Sequence, residues 1–224
     1  PEAAVSCPQC IGIEQEFGRG AARRELRRYR RRGPARTTRM LLDQVIGRGV
    51  KGRTFLDIGG GVGTIQHELM EAGAGHGLSA EASPAYLAAS REEAARRGYM
   101  DRMAYREGDF LDLAPDIEAA DVVTLDRVLC CYPDMPGLVE ASASRARLFW
   151  GTVLPREERP LIRFAVGVLN SVQRLRRRPF RVFTHGSQDV DVRMRDLGFL
   201  PAFRGTSFFW RVLLYERDPA ATSS

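Results

Sequence analysis

The eleven residues from Thr54 to Thr64 restrict the fold of this chain more than any other stretch. An apolar run, Thr54-Phe55-Leu56-Asp57-Ile58, passes into Gly59-Gly60-Gly61-Val62-Gly63-Thr64. A helix-period segment follows, with Ile65, Leu69 and Met70 at its apolar positions. Buried strand, tight turn and helix in that order form the entrance to a nucleotide-type site in an open parallel sheet. Glycine suits such a turn because the backbone passes close to its ligand and because φ must often be positive. The spacing argues against a dinucleotide. Counted from Gly59, the third glycine of Gly-x-Gly-x-x-Gly would fall at Thr64.

The remaining chain has the size and composition to complete such a sheet. Its 224 residues, 44% of them apolar, fit one domain with a full core. No run approaches the roughly 18 consecutive apolar residues of a membrane span. The start lacks the basic-then-apolar order of a signal peptide, so a cytoplasmic location is expected. Pro1 in place of Met points to processing or trimming. The net charge of +6 is carried by arginine, with Lys51 the sole lysine. That pattern suggests codon bias more than selection for phosphate contacts, and no nucleic-acid partner is assigned. Cys7-x-x-Cys10 and the adjacent Cys130-Cys131 are expected to be buried or lid cysteines, with a metal or disulfide role as the alternative.

Residues 11–50 read as helical, opening on the apolar pair Ile13 and Phe17. Gly33-Pro34 breaks the run, and Thr37 is placed to cap a second helix ending near Gly47. His76 to Glu81 reads as the second strand, Ser83-Pro84 as the start of the next helix, and Arg102 to Arg106 as the third strand. Ala120 to Asp126 is the fourth strand and Leu148 to Pro155 the fifth. Pro160 to Arg178 is helical and apolar around much of its circumference, which calls for burial or for a place in a pocket wall. Phe180 to His185 reads as extended, and Phe199 to Phe203 with Ser207 to Glu216 as a terminal hairpin.

Asp57-x-Gly59-x-Gly61-x-Gly63 resembles motif I of class I S-adenosylmethionine (SAM)-dependent methyltransferases. The resemblance implies an α/β fold, a Rossmann-like doubly wound seven-stranded sheet. It also implies that Asp57 and the backbone of Gly59, Gly60, Gly61 and Gly63 face the methionine part of SAM. Glu81, about 20 residues on, would accept from both ribose hydroxyls, with Ala82 and Ser83 beside it. Gly108-Asp109-Phe110 is similar to the family's adenine segment, with Asp109 accepting from the amino group and Phe110 covering the ring. Asp126 ends the fourth strand at the same sheet edge. Methyltransferases of this class often close an N-terminal helix over SAM, and Tyr29 is the candidate for a cation–π contact with the sulfonium.

The loop after the fourth strand bears on the acceptor. Asp126-Arg127-Val128-Leu129 lacks the Asn/Asp-Pro-Pro-Tyr/Phe of nucleic-acid and glutamine methylating enzymes. It is similar instead to the small-molecule branch, with cysteines where histidines are common. From Pro179 to Glu216 the chain resembles magnesium-protoporphyrin IX methyltransferases, in His185, Leu197-Gly198-Phe199 and Thr206-Ser207-Phe208-Phe209 among other positions. That family's amino-terminal aromatic segment is replaced here by the cysteine and arginine stretches.

The expected organisation is a helical lid over 1–50, a SAM domain over 51–218 with an acceptor-wall helix near 160–178, and a frayed tail over 219–224. The expected reaction is methyl transfer from SAM to a small-molecule acceptor, O-directed onto a carboxylate, with S-adenosylhomocysteine as product and no metal. His185 is the candidate base or acceptor ligand, and Arg127 the candidate partner for an anionic acceptor and for SAM. Methylation of a thiol or metalloid through the cysteines, or ligand binding without catalysis, are the alternatives. The chain is expected to act as a monomer or homodimer.

Overall fold

The computed structural model describes residues 18–222 together with Gly12 and Glu16. Helix α1 (Arg19–Arg32) and helix α2 (Arg36–Gly47) precede strand β1 (Thr54–Ile58). Then come α3 (Thr64–Glu71), β2 (His76–Glu81), α4 (Pro84–Arg96), β3 (Met103–Glu107) and the single turn α5 (Phe110–Leu113). Strand β4 (Ala120–Asp126), α6 (Met135–Ala143), β5 (Ala146–Pro155), α7 (Pro160–Leu175), α8 (Ser187–Asp196), β6 (Phe199–Thr206) and β7 (Trp210–Arg217) complete the chain. Ile13, Phe17, Cys7 and Cys10 lie outside the described residues.

The strands form one seven-stranded sheet in the order β3-β2-β1-β4-β5-β7-β6. All neighbours from β3 to β5 are parallel, and β7 is antiparallel to β5 and β6. The winding direction reverses between β1 and β4, and ligands of open α/β sheets bind in the crevice beyond the strand carboxyl ends at such a switch.

The buried strands alternate strictly between two cores. Leu56 and Ile58 of β1, Val123 and Leu125 of β4, and Trp150 and Leu154 of β5 face the α6 and α8 layer. Phe55, Val122, Phe149 and Val153 face α2 and α3 on the opposite side. Gly77 of β2 leaves room for the neighbouring ring, since a Cβ there would sit 2.1 Å from Phe55 Cζ. Indole burial at Trp150 is completed by donation from Nε1 to Ser142 Oγ at 2.9 Å.

Helix α1 packs through Ala22, Leu26 and Tyr29 onto Val62, Tyr86 and Ala89. Arg30 donates to the buried Glu93 of α4 at 2.8 Å and ties the two helices together. Helix α2 begins at Arg36 after an Ala35 N-cap, one residue before Thr37 could cap it. Thr37 and Thr38 therefore fall in its first turn, buried, with their hydroxyls turned to the loop after β4. Sequence reasoning placed Thr37 as a cap because a threonine before an apolar run has that signature. Tertiary contacts with Arg127 and Asp126 gave both threonines a different use.

Candidate active site

A cavity of about 560 Å³ opens at the carboxyl ends of the strands. On its wall, Asp57 to Gly61 run from the end of β1 into the turn, Ala80 to Ala82 end β2, Gly108 and Phe110 follow β3, and Asp126 to Val128 run from the end of β4 into its loop. Every parallel strand from β3 to β5 thus contributes, Pro155 being the share of β5.

The glycine turn is built for close approach. Gly59, Gly61 and Gly63 have φ of 60°, 58° and 85°, a region costly for residues with a Cβ. A Cβ on Gly60 would lie 2.6 Å from Asp57 Oδ2. Asp57 itself is buried; its Oδ1 accepts from Thr124 Oγ1 at 2.8 Å, and Oδ2 has no hydrogen-bond partner. A buried carboxylate oxygen without a partner is costly, and it marks a place for a cationic or hydrogen-bonding ligand.

Burial pushes the Asp57 carboxyl up to about 8; the Thr124 hydrogen bond opposes this, and the charges of Asp126 and Glu81 add to it. The folded chain therefore keeps a proton that the unfolded chain has released from about pH 4 upward. The stability contributed by the neutral acid is complete below about pH 4 and is lost as pH rises through about 8. Asp57→Asn, which cannot ionise, should raise the Tm of the empty protein by about 5 °C at pH 8.5 and by little at pH 5. Thermal melts at the two values check this, and equal effects at both would refute it.

Glu81 is almost fully buried and accepts from Gly61 N–H through Oε2 at 2.9 Å and from Ser83 N–H through Oε1 at 2.8 Å. Burial pushes its carboxyl upward, and the backbone donors of Ser83, Gly61 and Ala82 pull it back. Asp126 accepts from Thr38 Oγ1 at 2.6 Å and lies 3.4 Å from Arg127 Nε, an ion pair without an aligned hydrogen bond. Arg127 takes φ of 64°, donates to Thr38 Oγ1 at 3.1 Å, and sits over the Trp210 ring at 5.3 Å.

Asp57, Gly59, Gly60, Gly61, Glu81, Ala82, Phe110, Asp126 and Arg127 all line this one cavity. Five candidates do not. Tyr29 is buried elsewhere: its hydroxyl donates to Glu68 at 2.9 Å, its ring stacks on His67, and Arg97 lies over its face. The position one turn earlier on α1, Glu25, reaches the cavity instead. Gly63 turns the chain into α3, where a Cβ would lie 2.6 Å from both His67 Nε2 and Ser90 Oγ. Ser83 caps α4. Asp109 caps α5, accepting from Leu111 N–H at 3.0 Å and from the Tyr132 hydroxyl at 2.7 Å, while its neighbours Gly108 and Phe110 face the cavity. His185 donates from Nε2 to the Tyr132 carbonyl at 2.8 Å and stacks on Phe183, which makes it a brace between two loops rather than a base in the cavity.

His67 is likewise structural. It is held between Val62 O and the Tyr99 hydroxyl, and burial lowers it to about 4. Sequence reasoning missed Glu25, Tyr86, Thr38 and Trp210. Tyr86 donates to Glu25 Oε2 at 3.0 Å across α4 and α1. Only the fold brings these residues together, and no local spacing announces them.

The far end of the cavity is apolar. Val166 and Leu169 of α7, Phe180, Val182, Phe209 and Trp210 line it. Helix α7 takes the pocket-wall place expected of it, with Ala165, Val166 and Leu169 on the cavity side and only Ile162, Val166 and Gln173 buried. Its opposite face is open to solvent.

A doubly wound sheet, a glycine turn and separated acids at the strand ends define a nucleoside-binding α/β enzyme with an apolar second compartment. The model of a methyltransferase-domain family matches residues 50–177, more than half of the chain, and the chain belongs to that family. It is a SAM-dependent methyltransferase. The fold is similar to magnesium protoporphyrin IX methyltransferase from Synechocystis PCC 6803 with bound S-adenosylhomocysteine, at TM-score 0.70 and 19% identity over 92% of this chain and 98% of that one. The same enzyme with bound SAM gives TM-score 0.69 and 19% identity over 96% and 100%. An O-methyltransferase family protein from Burkholderia thailandensis gives TM-score 0.67 and 18% identity, covering 93% of this chain and 64% of that one. No curated protein matches the chain. Among the described residues, no helix is long and apolar enough to cross a membrane.

Proposed function

We propose that the chain methylates a carboxylate oxygen of a small, largely apolar acid. The observation that carries this reading is the position of Arg127, a guanidinium on the cavity wall beside an apolar compartment. When bound, SAM supplies an electrophilic methyl carbon on a sulfonium, and S-adenosylhomocysteine is what remains after transfer. Asp57 and the glycine turn would hold the donor's amino-acid end, Glu81 would accept from the ribose hydroxyls, and Phe110 would cover the base. The buried Asp57 Oδ2, which has no hydrogen-bond partner, fits that cationic group.

Arg127 orients the acceptor carboxylate, and Trp210 fixes the guanidinium plane from behind. The new bond forms between a carboxylate oxygen and the methyl carbon, the carbon–sulfur bond breaks, and its electron pair stays on sulfur. No proton moves, so no base is required. That agrees with the engagement of His185 by Tyr132. The enzyme's work is alignment and exclusion of water by the apolar wall.

Methylation through the cysteines has less support. Cys130 and Cys131 both turn their sulfurs to the Arg127 carbonyl, at 3.4 and 3.7 Å. The hydrogen bond with the neighbouring Cys131 thiol, and then burial, push Cys130 well above the ordinary thiol range, which keeps it protonated and weakly nucleophilic.

Methyl-labelled SAM incubated with a panel of apolar carboxylic acids, phenols, amines and thiols tests the reading. Label on a carboxylic acid that mild alkali releases as methanol supports it; alkali-stable label on any other class overturns it. Arg127→Gln should raise the acceptor KM about 30-fold, in line with loss of a hydrogen-bonded charge pair worth about 2 kcal/mol, and should change kcat much less. Steady-state kinetics with the acceptor so identified checks this.

A further inference from the structure

Helix α7 has two apolar faces, and the cavity uses only one. Leu161, Phe164, Val168, Val172 and Leu175 recur at helical spacing on the other face, with Phe164 70% and Leu175 85% exposed. They form one unbroken stripe about 21 Å long. At its amino-terminal end the stripe is extended by Phe208, 66% exposed in the β6–β7 turn with the Arg159 guanidinium over its ring. An apolar patch of this length on a protein surface marks a contact with something.

Its charged rim says what. Helix α7 carries no acidic residue, and Arg163, Arg174, Arg176 and Arg177 are exposed beside the stripe. Arg178 is taken up by Glu16. The acids nearest the helix start are also engaged: Glu158 by Arg156 and Arg211, Glu157 by Ser187.

We propose that this face docks on an anionic lipid surface, with the α7 stripe in the acyl boundary and the arginines among the headgroups. Hydrocarbon satisfies side chains that offer no hydrogen bonds, and anionic headgroups satisfy the cations. A second copy fits less well. Two-fold pairing of the stripes would bring the arginine-rich carboxyl end of one α7 against Arg159 and Arg163 of the other. Because the inner face of the same helix lines the cavity, docking places the acceptor compartment next to the bilayer, where an apolar acid accumulates. That delivery role rests on the acceptor reading above; the docking itself does not.

Co-sedimentation of the full chain with vesicles of phosphatidylglycerol and phosphatidylcholine, against phosphatidylcholine alone, tests the docking. Pelleting with the anionic vesicles that fades as salt is raised is the expected result. Phe164→Asp and Leu175→Asp should each cut partitioning about tenfold, and Arg174→Glu with Arg177→Glu should do the same. The Tm and SAM affinity of each variant should stay unchanged. Absence of pelleting with anionic vesicles overturns the proposal, as does full binding by Phe164→Asp. A concentration-dependent dimer in sedimentation velocity that Phe164→Asp abolishes also overturns it, because the face then belongs to a second copy. The readout involves no methyl transfer, so failure of carboxylate methylation leaves it intact.

Discussion

Glu81→Gln should weaken SAM binding about 100-fold, a change of about 2.7 kcal/mol, while kcat at saturating SAM moves far less. The carboxylate is held by backbone donors, Gly61 on Oε2 and Ser83 on Oε1 among them, which fix its plane at the end of β2. Each oxygen keeps acceptor capacity toward the cavity, and paired ribose hydroxyls match that geometry. Glutamine has the same volume but one acceptor oxygen, so its amide must face either a ribose hydroxyl or a backbone N–H with a donor. The same conflict should lower stability by about 1–3 kcal/mol. Calorimetric titration with SAM and thermal melts measure the two effects separately. A dissociation constant within about threefold of the parent's would remove Glu81 from the donor site.

Gly59→Ala should have a much larger structural effect than Gly61→Ala in the same turn. Two costs add there. The residue holds φ of 60°, which costs a side-chain-bearing residue about 1–2 kcal/mol. The new Cβ would also lie 2.5 Å from Val128 Cγ2, a contact that cannot persist without displacement. Overpacking of this kind costs about 1–3 kcal/mol. Because the turn lines the cavity proposed for the donor, any displacement that relieves the contact moves that wall, and SAM affinity should fall at least about 100-fold. Gly61→Ala offers the contrast. Its Cβ would meet Tyr86 Cδ1 at 3.4 Å, an ordinary contact, so only the conformational cost remains. Adding Val128→Ala to Gly59→Ala should restore part of the affinity by opening the space. If the two alanine variants behaved alike, the Val128 contact would not be the cause.

How much of this was legible in the sequence depends on how local each feature is. The β1–turn–α3 unit was legible because acid, glycines and helix period lie within one short stretch whose spacing has few other uses. Glu81 was legible for the same reason, since the distance from the glycine turn to the next strand end is set by one helix and one strand. Element ends shifted by a few residues, as when α7 stopped at Leu175 rather than Arg178, because fraying and tertiary contacts decide the last turn.

Tyr29 lies off the cavity, which the sequence could not show because a helix presents all its sides to the reader. Which side meets the cavity is fixed only when Ala22, Leu26 and Tyr29 dock on α4. The place of His185 off the cavity was not legible because its partner, the Tyr132 carbonyl, is remote in sequence. Thr38 and Trp210 were invisible because each meets the loop after β4 from an element remote in sequence.

The sequence by itself determined the sheet class, the glycine turn and the acids that end the strands, since strand alternation and turn chemistry are short-range rules written residue by residue. Only the tertiary structure decided which faces of α1 and α7 meet the cavity. It alone also decided that Arg127, braced by Thr38 and Trp210, stands at the cavity wall. Those outcomes depend on how elements far apart in the chain pack, and packing energy is shared among too many residues to be read from any one stretch.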